Sequence, residues 1–148
     1  MNANDARLVR LFTAETGSNV PDDTPNASLS TPQTTFDLVL EGEAGNNIGG
    51  TGAPYTLTIT CFDWSTGNLA DPAMSPTVPA QTFDGNGAAT LWKKSGTNFL
   101  TQQVFRIPAG AGALPAGVKG HLFIYTVALV TQDFNIVSTT QSNLFLVV

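Results

Sequence analysis

Between residues 55 and 61 the chain alternates without a break: Tyr55, Leu57, Ile59 and Cys61 on one side, Thr56, Thr58 and Thr60 on the other. Side chains on an extended strand point to opposite faces in turn, so this run has one face for a core and one for water or a partner. β-Branched threonine and isoleucine suit that pleated surface. Nowhere does the chain sustain apolar residues at i, i+3, i+4 and i+7, so no long helix is expected.

Other strand-like runs lie between turn signals. Arg7–Thr13 comes first, then Thr35–Glu41 with Phe36, Leu38 and Leu40 on one face. Gln81–Phe83 and Ala89–Lys93 flank Asp84-Gly-Asn-Gly87, a sequence that predicts a hairpin because Gly and Asn accept positive φ. Phe99–Ile107 ends at Pro108. His121–Val130 is apolar on both faces, as expected of a central strand or of one at an interface. A turn at Gln132-Asp133 leads to Phe134–Thr139, and Asn143–Val148 closes the chain. Phe62-Asp63-Trp64 breaks the alternation and predicts a bulge or a strand end.

This pattern predicts an all-β, two-sheet antiparallel sandwich of about seven or eight strands. The 148 residues suffice for one domain with its own core. Residues 1–13 read as an N-terminal strand, 14–34 as a Pro-rich polar connection and 35–148 as the main sandwich. Over 35–148 the order of strands resembles an immunoglobulin- or fibronectin-type sandwich by pattern. The paired cysteines of immunoglobulin domains are absent, since Cys61 is the only cysteine, and Tyr125 is a weak counterpart of the corner tyrosine.

Charged residues make up only 11% of the chain, against about 25% in an ordinary soluble domain, and Thr, Ser, Asn, Gln, Gly and Ala replace them. Such a surface repels copies of itself weakly and favours self-association. The formal net charge is −5, and of the six basic residues only Lys93 and Lys94 are adjacent. No basic stripe exists to displace counterions, so nucleic acid is not an expected partner. Met1 is followed by no basic and then apolar segment, and the longest apolar stretch, Leu122–Val130, is about half a membrane span. The expected location is the cytoplasm, or outside it by release without a signal peptide, with no membrane insertion.

Chemistry is sparse. His121 is the only histidine and no Gly-x-Ser-x-Gly elbow accompanies it, so a hydrolase triad is not expected. Cys61 reads as a small buried hydrophobe. The carboxylates sit mostly in turns, where Asp shapes the backbone. Asp63, Asp71 and Asp84, helped by Asn68 and Asn86, would hold calcium only if their loops converged. No cofactor or metal is expected. Asn26-Ala-Ser28 matches the glycosylation triplet, a match common by chance.

Two features suggest partners. Trp64 and Trp92 are candidate exposed aromatics, each beside polar residues, able to stack on a sugar or anchor a protein; buried at a sandwich edge, they would be packing residues. In the first strand Leu8, Val9, Leu11 and Phe12 face both ways, and a tether of about 20 residues follows, with a span of roughly 25 Å. That strand is a candidate interface, adding to a sheet edge of another copy or folding back on its own sheet. The expected function is a non-enzymatic structural or assembly module acting through protein–protein contacts, a homo-oligomer or part of a larger assembly. A carbohydrate-recognition module using Trp64 or Trp92 is the alternative.

Overall fold

The computed structural model describes residues 1–132 and 135–148. The strands are β1 (Ala6–Ala14), β2 (Phe36–Ala44), β3 (Pro54–Asp63), β4 (Asn68–Leu69), β5 (Gln81–Thr82), β6 (Lys93–Ser95), β7 (Asn98–Ile107), β8 (Leu122–Thr131), β9 (Val137–Gln141) and β10 (Phe145–Leu146). Sheet A has the order β1-β2-β7-β6. Sheet B has the order β10-β8-β3-β4, with β5 also on β3 and β9 also on β8. Every pairing is antiparallel, and the two sheets enclose one large core cluster, so the sandwich expected from the sequence is the observed fold. Asp133 and Phe134, where a turn and the start of a strand were expected, lie outside the described residues.

The alternation at 55–61 works as expected. Tyr55, Leu57, Ile59 and Cys61 are buried, while Thr56 and Thr58 are exposed and Thr60 half-buried. The strand runs on in phase to Asp63, so the irregularity near Trp64 is its end rather than a bulge. β8 lies between β3 and the β9/β10 edge, with its odd-numbered residues in the core and its even-numbered ones half-exposed outside, apart from the more exposed Val130.

The bulge lies in β1 instead. Register with β2 shifts between Leu8 and Arg10, with one extra residue in β1. Before it Ala6 and Leu8 face the core; after it Leu11 does, and Phe12 and Ala14 join Val39 in a small outer cluster. An extra residue reverses side-chain phase, which is why this strand looked apolar on both sides.

The expected hairpin around Asp84-Gly-Asn-Gly87 does not form. Gln81 and Thr82 pair with β3, and residues 89–92 are not a strand. The Asp84 carboxylate accepts the backbone N–H groups of Thr90 (3.0 Å), Leu91 (3.2 Å) and Trp92 (2.8 Å), and these donors are lost to any ladder. The hairpin of this region joins β6 to β7 through Gly96-Thr97. Gly96 at φ +62° opens the tight turn, the position where the type II′ form calls for glycine. Gly49 and Gly85 are packing residues: a Cβ would stand 2.2 and 2.3 Å from the Phe99 ring.

The long connection 14–34 is held to the sandwich at several points. Asp22 N–H donates to Thr13 O (2.8 Å) and Leu146 N–H to Asp23 O (2.8 Å). Asn26 is buried; its Nδ2 donates to Gln33 O and Val148 O, and its Oδ1 accepts from Val148 N–H. An amide nitrogen so engaged cannot carry a glycan in the folded chain, and Asn26 instead ties the C-terminal end to the connection.

Candidate interaction surface

The two tryptophans separate completely. Trp92, a candidate exposed aromatic, is fully buried. Its indole N–H donates to Tyr55 Oη (2.9 Å), and its ring meets Tyr55 and Phe83 with centroids 6.1 and 5.1 Å away. Asp84 holds the Trp92 N–H and turns the chain inward at this point, so the ring fills the core and is not available to a ligand. Trp64 is 60% exposed, in the turn between β3 and β4, near the 72%-exposed Leu69. That turn is rigidly tied. Asp63 Oδ1 accepts from Ser65 and Thr66 N–H, Asp63 Oδ2 lies 2.7 Å from His121 Nδ1, and Trp64 N–H donates to Leu122 O. Both Asp63 oxygens are thus occupied, one by the turn and one by His121.

The N-terminal candidates are also split. Leu8 and Leu11 are core residues of their own sandwich, while Phe12 is covered in part by the Arg10 guanidinium, 4.4 Å from its ring centroid. Val9, in the bulge, is 52% exposed and lines a shallow surface cleft with Leu100 and Lys93.

The titratable groups serve the fold. Burial pushes the Cys61 thiol up to about 12, which keeps it protonated and unreactive. Asp71 caps Ala73 N–H, Asp63 its own turn and Asp84 the 90–92 segment; among the described residues no three His, Cys, Asp or Glu side chains gather to hold a metal. For Asp63 and Asp84 burial alone would raise the carboxyl, but hydrogen bonds from His121 and Thr66, and from Trp92, Thr90 and Leu91, outweigh it and hold both below their ordinary value. Glu41 is lowered chiefly by Arg10 and Glu43 chiefly by Arg7. Lowered folded values mean that the unfolded chain binds protons first. The stabilisation is present above the ordinary carboxylate range and is lost as pH falls through the folded values. The melting temperature is expected to be level above pH of about 5 and to drop steadily below about 4, and a thermal scan across a pH series checks it.

The two outer faces differ sharply. On sheet A all three arginines lie outward, each against a β2 carboxylate: Arg7 on Glu43 (2.9 Å), Arg10 on Glu41 (3.0 Å) and Arg106 on Asp37 (2.5 Å). Cross-strand pairs of this kind fix register more than they add stability. On sheet B the outward positions of β3, β8 and β9 carry no charge. They are Thr56, Thr58, Thr60 and Phe62 on β3, the even-numbered residues of β8, and Val137, Thr139 and Gln141 on β9, with Val137 67% exposed. Among the described residues, no helix is long and apolar enough to cross a membrane.

No family model and no curated protein matches this chain. Among solved structures it is similar to the CooA pilin subunit from enterotoxigenic Escherichia coli, at 14% identity and a TM-score of 0.36, over 91% of this chain and 99% of that one. A superposition this loose transfers no function, and the sandwich stands on its own strand pairing.

Proposed function

We propose that this chain is a non-enzymatic structural module that works by protein–protein contact, with other copies of itself as the first partner. The observation that carries the reading is the uncharged outer face of sheet B, set against a sheet A face that carries three arginine–carboxylate pairs and Lys93. A face of threonine, valine and isoleucine can be covered without stripping water from any ion, the costly step in burying surface. Its exposed apolar groups, Trp64, Leu69, Val130 and Val137, are the type that anchors interfaces. His121 and Cys61, the residues that would most readily do chemistry, are engaged by Asp63 or buried.

The test is the molar mass in solution by size exclusion with light scattering over a concentration series. Masses that rise above 15.5 kDa with concentration support self-assembly, and a monomer at every concentration removes it. Trp64, exposed on a tied turn, favours glycan recognition as the second reading. A glycan-array signal lost in Trp64→Ala, from a chain that stays monomeric, would replace the first reading by the second.

A further inference from the structure

A strand edge offers unpaired N–H and C=O groups to any other strand, and natural sandwiches blunt such edges with bulges, prolines, breaks or covering chain. Three of the four edges here are blunted. The β1 edge is bulged, and its outward groups are capped: Leu8 N–H by Ser138 Oγ (2.9 Å), Thr13 N–H by Asn143 Oδ1 (3.3 Å) and Thr13 O by Asp22 N–H. The β9/β10 edge is broken at 142–144 and supplies those capping side chains. The edge beside β3 consists of β4, a single bridge at Thr77 and β5, with Pro72, Pro76 and Pro79 between them.

The fourth edge is β7. β2 pairs with it from Phe99 to Ile107, but on its other side β6 reaches only Asn98–Leu100. β6 stops there because Asp84 takes the Leu91 N–H, the next donor due to face β7, and the Trp92 ring dives into the core. The two-residue turn at Gly96-Thr97 makes Ser95 and Asn98 a hydrogen-bonded pair, so even-numbered β7 residues point N–H and C=O away from β2. The Gly45 N–H to Asp5 O bond sets the same parity from the other end of sheet A. The backbone groups of Gln102, Val104 and Arg106 therefore face outward, and among the described residues nothing pairs with them.

We infer that two copies join here, β7 antiparallel to β7 about a two-fold axis through Val104, giving one continuous eight-stranded sheet from the two sheets A. This rests on the self-assembly proposed above and gives it a contact of its own, separate from the outer face of sheet B. The free stretch is bounded by β6 before residue 102 and by Pro108, which has no N–H, after Ile107, so Val104 is its centre. In that register Val104 faces its own copy, and Gln102 faces the partner's Arg106. All three outward residues exchange both backbone bonds across the axis. Arginine meets a neutral amide rather than another arginine, so like charges never come together. On the inner face Phe105, only half-buried in one copy, gains cover from the partner's Gln103.

The decisive variant is Val104→Pro. Its N–H makes no bond among the described residues, so proline is tolerated by the fold while removing the central bond of the pairing. The expected result is a wild-type melting profile with a mass below that of the wild type at every concentration at which the wild type associates. A second variant, Val104→Cys, places two thiols across the axis at a Cα separation of about 5.5 Å, within disulfide reach. Mild oxidation should give a covalent dimer, with buried Cys61 as an unreactive control. A wild-type chain that is monomeric throughout overturns both this pairing and the self-assembly reading. A wild-type oligomer that survives Val104→Pro and yields no Val104→Cys cross-link overturns the edge and leaves the assembly reading in place.

Discussion

Trp92→Ala is expected to destabilise the fold by about 3–5 kcal/mol, the range for removing a large buried aromatic. The ring is fully buried between the sheets, packed on Tyr55 and Phe83, with its far edge 3.2 Å from where a Cβ on Gly42 would sit. Strands of both sheets meet on it, so relaxation of one sheet cannot close the space left behind. The variant also removes the donor to Tyr55 Oη, although that hydroxyl keeps its own bond to Gln81 (2.7 Å). A domain of this size has about 5–15 kcal/mol in all, so the melting temperature should fall by roughly 10 °C. Urea unfolding followed by tryptophan fluorescence measures it, with Trp64 as the remaining reporter. A loss under about 1 kcal/mol would show that the ring is not the packing centre described here.

Asp84→Ala is the second large effect, at about 2–4 kcal/mol. One carboxylate accepts three consecutive backbone N–H groups and the Thr90 hydroxyl (2.7 Å). Alanine leaves these donors without a charged acceptor, and the Trp92 N–H lies where water reaches it poorly. Asp84→Asn should also cost, because its NH2 group would face donors on one side. Chemical denaturation of both variants checks this. The acid-induced loss of stability should also be shallower in either, since one of the lowered carboxyls is gone. An unchanged acid slope would mean that the other lowered carboxyls, Asp63, Glu41 and Glu43, set the acid response.

These two residues also show how far the sequence could be read. The alternation at 55–61 and the apolar run at 122–130 announced the central strands of sheet B, because a half-buried strand leaves its period in the residues. Asp84-Gly-Asn-Gly87 carried a valid turn signal, but the strands it would join were decided by a side chain reaching six to eight residues ahead, which no local pattern encodes. Trp92 sits beside Lys93-Lys94 and has the surroundings of a surface residue; its burial follows only from the inward turn that Asp84 imposes. The first strand seemed two-sided because a bulge reverses phase without a glycine or proline to mark it. The open edge of β7 was out of reach altogether. It depends on where β6 stops, a matter of pairing between distant segments, whereas the anchored tether at 14–34 was visible only as polar composition.

Amide hydrogen exchange at Gln102, Val104 and Arg106, followed as protein concentration is raised, reports on pairing at the β7 edge itself. These three amides are expected to exchange fast in dilute solution and to become protected together as the mass rises, while the buried ladder between β3 and β8 stays slow throughout. Three amides that remain fast at concentrations where the chain is oligomeric would contradict pairing at this edge.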